Sequence, residues 1–416
     1  MSQCAHLFTA LITKNPRQVA FAAAIIIYAI YGSPTPDTIT PIEIIIAGLL
    51  CLAIGATTFY HALHIESQSP PWRATCQLLL FIGLTIGIIG AVINNAPPTA
   101  IIRDIIALGF LCLPLLLFNL HRDNPRLGIA LFCLLGTIFA IRAIIPYLPI
   151  ALPVTGYDAL YYLGNSPALL FTAIFCAGMG IEKITAAFSL QSLIKSSVLF
   201  MLSILTLSPI ILTLQRASIA AFIVSIIIIT ALCFFKNPRR TLLFIAIIAL
   251  PAIITASPIL LDAYLALKTK TTQVGANMRL QEWGAVWNTI ASHPLSLLFG
   301  RGWGASFSSP AVADINVFYT HSLLSAMLLK TGLCGFILCT LYLFSLLIPL
   351  LKKAQIYPVL ILSIAAPLYI DTFLYAAYKS LDFGLLLVMI TVIIRQQNYT
   401  KTTAATIASP QPIMHA

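Results

Sequence analysis

The sequence predicts an all-α polytopic membrane protein with about twelve transmembrane helices. Its 416 residues are 60% apolar and only 8% charged, whereas soluble globular proteins hold about 45–50% apolar and about 25% charged residues. The apolar residues fall in runs of about 20, the length that an α-helix needs to cross about 30 Å of hydrocarbon. Charge at this density cannot cover a soluble surface, so a water-soluble fold is excluded.

The predicted spans divide the chain into four parts. Residues 1–256 hold transmembrane helices one to nine, 257–321 form a long loop with amphipathic helices, 322–395 hold the last three helices, and 396–416 are a disordered tail. The spans lie at about residues 18–33, 42–62, 74–94, 101–120, 127–147, 167–180, 197–214, 217–235, 241–256, 322–350, 357–374 and 380–395.

The distribution of basic residues predicts the orientation in the membrane. The formal net charge is +11, but the basic residues are spread singly over short loops, so nucleic acid is not an expected partner. With both termini in the cytoplasm, most Lys and Arg lie on the cytoplasmic side, as the positive-inside rule requires. The long loop then faces outward.

Two arginines at the outer surface are candidates for binding an anion. Arg216 follows Gln215 in a very short turn before the eighth span, and Arg279 begins an amphipathic helix in the long loop. A guanidinium beside a helix N-terminus suits phosphate, and two of them match a lipid-linked pyrophosphate. The alternatives are an arginine that contacts lipid phosphates and one on a solvated helix face.

His321 is the candidate proton acceptor. It follows Thr320, a predicted N-cap, at the start of the tenth span, where the helix dipole favours a neutral imidazole that can accept a proton. The alternative is a capping or interface histidine. Lys330 lies deeper in the same span and needs an acidic partner. The available acids are Asp371 and Asp382, although Asp371 could instead orient His321.

The long loop offers an amphipathic helix and a tight turn. Apolar residues recur at helical spacing, so the helix could rest on the membrane with its tryptophans at headgroup depth; they are Leu280, Trp283, Val286, Trp287 and Ile290. The outer face has no D-x-D, no H-E-x-x-H and no carboxylate cluster, so neither a divalent metal nor another cofactor is expected. In a separate outer loop, Tyr157 could stack on sugar or belong to an aromatic belt.

Four motifs in order resemble the O-antigen ligase and polymerase superfamily. They are Gln215-Arg216 before a span, residues 278–283 with Arg279 and Trp283, His293-Pro294 followed by the glycine cluster 299–304, and residues 320–335 with His321 and a Thr331-Gly332 turn. Two positions depart from the pattern. Ser322 stands where Asn is common, and Lys330 stands where an acid often precedes the Thr-Gly turn.

The resemblance implies a GT-C-like glycosyltransferase of the bacterial inner membrane. Such an enzyme moves a glycan from undecaprenyl pyrophosphate to an acceptor hydroxyl at the periplasmic face, with inversion and without metal. Carried over by position, Arg216 and Arg279 would bind the pyrophosphate and His321 would activate or orient the acceptor. Asp371, Tyr157, Gln215 and Trp283 are candidate supporting residues.

The length of the chain and its one dominant outer loop favour an O-antigen ligase. The acceptor is then lipid A-core, and membrane lipids surround the protein. An O-antigen polymerase or a protein O-oligosaccharyltransferase of the same superfamily is the alternative. A transporter of lipid-linked glycan is less favoured, because it predicts charged residues at mid-membrane. A structural membrane subunit would leave Arg216, Arg279 and His321 individually replaceable.

Overall fold

The computed structural model describes most of the chain, and the described part is largely helical. The described residues are 16–32, 40–64, 69–118, 120, 125–145, 163–274 and 278–408.

The first half of the described chain is a series of helices, most of which begin at a proline. Proline is favoured at the first helical position because its fixed φ suits a helix and its missing N–H would have no partner there. The helices are α1 Pro16–Tyr31, α2 Pro41–Ile54, α3 Ala56–Leu63, α4 Pro71–Ile93, α5 Pro98–Leu111, α6 Leu113–Leu117, α7 Pro125–Ile144, α8 Pro167–Ala186, α9 Leu190–Leu212 and α10 Arg216–Lys236.

The second half adds one small antiparallel hairpin between shorter and longer helices. Its elements are α11 Pro238–Phe244, a π-turn Ile245–Ala249, α12 Leu250–Val274, α13 Arg279–Ala291, α14 Pro294–Phe299, β1 Phe307–Ser309, β2 Ile315–Val317, α15 Leu323–Leu351, α16 Pro358–Phe373, a 3₁₀ turn Ala376–Lys379 and α17 Leu381–Ala408.

Six helices in the described ranges are long and apolar enough to cross a membrane, or seven if the pair α2 and α3, bent by 77° at Gly55, counts as one span. Several expose large apolar side chains, such as Phe81 (66% exposed), Met201 (68%) and Phe235 (81%). Apolar residues on an outward face fit a hydrocarbon environment. The protein is therefore an all-α polytopic membrane protein, and the number of twelve spans stays a prediction.

α8 is the most enclosed of these long helices. It packs against α7, α9, α10 and α16. Phe171 of α8 and Phe139 of α7 are both fully buried. Gly136 allows the close approach of α7, because a Cβ there would lie 2.4 Å from the Ala168 carbonyl oxygen. Small residues at helix contacts are the usual way in which membrane helices pack closely.

Two boundaries differ from those that the sequence predicts. The ninth span is expected to end near residue 256, but α12 continues as a helix to Val274. The tail is expected to be disordered from residue 396, but α17 runs to Ala408. Both extensions continue an existing helix, and a helix propagates more readily than it starts.

The glycine cluster of residues 300–304 inserts between α4 and α15. α4 contains a π-turn at Gly83–Gly87, whose backbone oxygens accept hydrogen bonds from Trp303: Nε1 to Gly83 at 2.7 Å and the backbone N to Gly87 at 2.9 Å. A Cβ on Gly87 would lie 2.3 Å from the indole nitrogen. The missing side chain thus makes room for Trp303, which is 2% exposed.

Lys330 of α15 joins this cluster to α5 and to the segment before His321. Its Nζ lies 2.7 Å from Asp104 Oδ2 and donates to the backbone oxygens of Ala305 at 2.7 Å and Phe318 at 3.0 Å. Both side chains of the ion pair are buried. The expected partners Asp371 and Asp382 are therefore wrong, and Asp104 takes their place.

We expect Lys330→Met to destabilise the fold strongly. Removing one member of a buried ion pair costs about 3–5 kcal/mol, and the variant leaves Asp104 with the more distant Lys379, whose Nζ lies 4.0 Å from its other oxygen. Thermal unfolding in detergent can be followed with a thiol-reactive fluorophore, because Cys76, Cys112 and Cys339 are buried. The control is Lys352→Met, at an exposed lysine that follows the last residue of α15.

Adding Asp104→Asn to Lys330→Met should recover part of the loss. The double variant has no carboxylate at position 104. The amide that replaces it still offers an oxygen to the Gly304 backbone N, which donates to Asp104 at 2.7 Å in the wild type. If Lys330→Met and Lys352→Met had equal midpoints of thermal unfolding, the structural role of the ion pair would be contradicted.

Candidate active site

His321 lies immediately before α15, in a segment held by hydroxyl side chains. The sequence predicts Thr320 as the N-cap, but the cap is Ser322, whose Oγ accepts from the Ser325 backbone N at 3.1 Å. Thr320 is buried and donates to the Ser322 backbone oxygen at 2.8 Å. His321 therefore precedes the helix rather than opening it, and its backbone is fixed on one side by the cap.

Glu282 of α13 holds His321 at two points. Its Oε1 accepts from the His321 backbone N at 2.9 Å, and its Oε2 lies 2.8 Å from Nδ1 of the imidazole. An ionised carboxylate can only accept, so it fixes the tautomer with the proton on Nδ1. Nε2 is then left with its lone pair, free to accept a proton from another group.

Glu282 is ionised although it is only 2% exposed. Burial raises the pKa of the Glu282 carboxyl, but its hydrogen bonds with the His321 side chain and backbone, together with the charge of Arg279, outweigh burial and hold this pKa below its usual value. The carboxylate form therefore predominates at neutral pH. The sequence places Glu282 on a polar face and gives it no role, although Arg-x-x-Glu spacing puts the two side chains one helical turn apart.

Arg279 stands one turn before Glu282 on α13. Its Nη1 lies 3.5 Å from Glu282 Oε2 and is a buried donor with no hydrogen-bond partner in the described part of the chain. Burial lowers the pKa of Arg279 and Glu282 opposes this; a guanidinium so basic stays charged at neutral pH. An unsatisfied buried donor on a fixed cation suits an anionic ligand.

Tyr375, which follows α16, lies within electrostatic range of Arg279 and Arg216. Burial raises the pKa of Tyr375, and the charge of Arg279, hydrogen bonding to the Ser218 side chain, the charge of Arg216 and hydrogen bonding to the Ala217 backbone oppose this rise. Arg216 also donates from Nη1 to Thr271 Oγ1 at 3.0 Å, which ties it to the extended part of α12. That the two guanidinium groups share one site stays a prediction.

Two of the supporting candidates pack in the scaffold around this cluster. Gln215 is buried and accepts from the Ser218 hydroxyl at 3.4 Å, so it supports the turn that presents Arg216. Trp283 packs edge-to-face on Phe336 of α15 with ring centroids 6.3 Å apart. It anchors α13, whose buried residues are Glu282 together with Val286 and Ile290 of the predicted apolar stripe. Leu280 and Trp287 of that stripe are exposed.

Asp371 is not brought to His321. It is 1% exposed and its Oδ2 has no hydrogen-bond partner among the residues that the structure describes. The acid that orients His321 is Glu282. Tyr157 lies outside the described residues. In the described ranges, no group of three or more His, Cys, Asp or Glu side chains could hold a metal ion.

One comparison with known proteins gives a match. Residues 200–340 match the family model described as O-antigen ligase, and this segment contains Arg216, Arg279, Glu282, His321 and Lys330. Neither the curated proteins nor the solved structures gave a match. The match agrees with the resemblance seen in the four motifs, and it shows that residues 200–340 are similar to the O-antigen ligase family.

Proposed function

We propose that this protein is an O-antigen ligase, which transfers a glycan from undecaprenyl pyrophosphate to a sugar hydroxyl of lipid A-core. The observation that carries the proposal is the contact of Arg279, Glu282 and His321. It places the Arg279 guanidinium, whose Nη1 has no hydrogen-bond partner among the described residues, near His321, whose Nε2 is available and whose ring is held by Glu282. The two groups provide the anion clamp and the proton acceptor that this transfer needs.

Arg216 and Arg279 bind the pyrophosphate in this proposal. Undecaprenyl pyrophosphate is a good leaving group once the charge that develops on it is compensated, and preorganised guanidinium groups provide this compensation. The charges of both arginines act on Tyr375, which supports their assignment to one site. We expect the transfer to need no metal ion, since the arginines supply the positive charge.

His321 Nε2 accepts the proton of the acceptor hydroxyl. The hydroxyl oxygen attacks the anomeric carbon of the donor glycan, a C–O bond forms, and the bond from that carbon to the pyrophosphate oxygen breaks on the opposite face. The pyrophosphate leaves with the electron pair, and the configuration inverts. Glu282 holds the Nδ1 proton and balances the imidazolium that forms, so it acts as a positioning residue.

The transfer takes place at the periplasmic face of the inner membrane, with both termini in the cytoplasm, as the distribution of basic residues indicates. The alternatives in the superfamily are an O-antigen polymerase and a protein O-oligosaccharyltransferase, which share the donor and differ in the acceptor. The transport hypothesis depends chiefly on Lys330 as a mid-membrane charge. Its contacts with Asp104 and two backbone oxygens give Lys330 a structural role instead.

A reconstituted assay tests the function. Purified protein in detergent with EDTA receives undecaprenyl-pyrophosphate glycan and lipid A-core, and the products are separated on a gel. We expect the wild type to add glycan to lipid A-core, and Arg216→Ala, Arg279→Ala and His321→Ala each to lose about 10²-fold or more in kcat/KM. The control is Lys268→Ala, at an exposed lysine of α12.

Other products would point to the alternatives. Glycan that lengthens on its lipid carrier while lipid A-core stays bare identifies a polymerase, and glycan on an added acceptor protein identifies an oligosaccharyltransferase. Wild type that transfers to no acceptor, or alanine variants as active as Lys268→Ala, would contradict the proposal.

Glu282→Gln tests the tautomer. A glutamine of the same shape can accept from the His321 backbone N only through its oxygen, so its NH₂ group faces Nδ1 and donates to it. The proton then moves to Nε2, which can no longer accept one. We expect kcat to fall about 10²–10⁴-fold, the usual contribution of a general base, with little change in the KM for donor.

Two variants accompany Glu282→Gln. Gln281→Ala changes an exposed neighbour on the same helix and should keep the wild-type kcat. Glu282→Asp retains the charge and should restore part of the activity. If Glu282→Gln and Glu282→Asp lost activity equally and through KM, Glu282 would have only a structural role.

A further inference from the structure

The segment of residues 294–304 reaches further along a membrane span than a surface loop would. α4 is long and apolar enough to cross a membrane, and it ends at Ile93. Trp303 donates from its backbone N to the Gly87 oxygen of this helix and from Nε1 to the Gly83 oxygen. With a rise of about 1.5 Å per residue, these two oxygens lie about 9 and 15 Å from the end of α4. The indole is therefore level with the interior of the span.

The outward surface of α4 is apolar as far as its last residue. Ile89, Val92 and Ile93 are each more than half exposed. Apolar side chains that stay exposed on a membrane span fit contact with hydrocarbon. The hydrocarbon therefore extends to the end of α4, and groups that bond to α4 further from that end lie below the membrane surface.

α15 runs antiparallel to α4, so depths can be compared along both helices. The hydroxyl oxygens of Thr75, near the start of α4, and Ser345, near the end of α15, lie 3.4 Å apart. Towards the other end, a Cβ on Gly90 of α4 would lie 2.9 Å from Gly302 Cα, and the Gly302 backbone N donates to the Lys330 oxygen of α15 at 2.9 Å. Lys330 is thus level with Gly90, and the residues that follow it in α15 lie deeper.

α14 lies against this deeper part of α15. At Gly332, where α15 is broken, a Cβ would lie 2.5 Å from the backbone oxygen of Leu298. Leu297 of α14 and Leu333 of α15 pack against the same apolar cluster. One face of α14 is therefore fixed to the protein below the level of Lys330.

The opposite face of α14 is apolar and exposed. It consists of Leu295, Leu298 and Phe299, whose spacing of three and four residues places them on one side of a helix. Ile337, one turn after Leu333 in α15, is exposed as well. The apolar face of α14 therefore continues the outward apolar surface of the span beside it.

The non-helical part of the segment meets the main requirement of a membrane interior. Irregular backbone is tolerated at that depth only where the protein surrounds it and satisfies its polar groups. The backbone N atoms of residues 301–304 all donate hydrogen bonds of 2.7–2.9 Å, to the backbone oxygens of Leu329, Lys330 and Gly87 and to the Asp104 carboxylate. Residues 302–304 are buried. The helical part satisfies most of its own backbone, so it is the part that can face lipid.

We propose that residues 294–304 are a re-entrant segment, which enters the leaflet beside the candidate active site as α14 and returns through the glycine cluster. Leu295, Leu298 and Phe299 then contact lipid acyl chains. This inference goes beyond the proposed function and depends only on the membrane fold. A loop that the sequence predicts outside the membrane lies partly within it, and the chain that leads to His321 is anchored in lipid.

Photo-crosslinking tests the depth of α14. p-Benzoylphenylalanine replaces Leu295 or Leu298, one at a time, in the full-length protein in phosphatidylcholine nanodiscs, and mass spectrometry locates the adducts. Phe81, exposed on α4, is the control that faces lipid, and Lys268, exposed on α12, is the control that faces water. We expect both α14 positions to give about tenfold or more acyl-chain adduct than Lys268, because hydrocarbon excludes a charged position but not an apolar one.

Three results would overturn the proposal. Adducts confined to lipid headgroups would place α14 on the membrane surface. Adducts with a second copy of the chain would show that the apolar face covers a protein interface. A lack of lipid adducts at both Leu295 and Leu298, with Phe81 labelled, would place α14 away from lipid.

The access of water provides an independent readout. The new thiol in Leu298→Cys should react with a membrane-impermeant maleimide about tenfold or more slowly than the thiol in Lys268→Cys, because apolar surroundings disfavour the reactive thiolate. Both rates are measured in nanodiscs and corrected for labelling of the wild-type chain. Equal rates in the two variants would contradict the re-entrant segment.

Discussion

The buried ammonium of Lys330 determines where the candidate active site forms. A charge this far from water needs close partners, and Lys330 finds them in Asp104 and in the backbone oxygens of Ala305 and Phe318. These two oxygens stand at either end of the hairpin segment that precedes His321. Satisfying one ammonium therefore fixes both ends of that segment against α15 and α5. α15 is broken at Gly332, where φ is 65°. Just before this break, the backbone oxygens of Leu329 and Lys330 accept hydrogen bonds from the backbone N atoms of Arg301 and Gly302. These bonds hold the glycine cluster against α15.

The chemistry of His321 depends on a second set of contacts that uses this scaffold. α13 packs Val286 and Ile290 against Leu328 and Leu329 of α15, and this apolar contact carries Glu282 to the histidine. The burial of Glu282 is unfavourable by itself, and its hydrogen bonds with His321 and the charge of Arg279 offset the loss of water. Packing thus sets the position of the carboxylate, and the carboxylate sets the tautomer. A change in the packing of α13 would therefore change the orientation of the imidazole.

The sequence predicts the helical membrane fold and points to candidate site residues, for a physical reason. A membrane span must satisfy its own backbone and is visible as a local apolar run, and Arg216, Arg279 and His321 stand out because charge is rare near such runs. Glu282 and Asp104 could not be assigned in this way. The apolar stripe on α13 predicts a helix that rests on the membrane, whereas contact with α15 buries Val286 and Ile290 of that stripe, and Glu282 is buried with them. The partner of Lys330 lies on α5, far away in the chain, and only the folded bundle brings the two together.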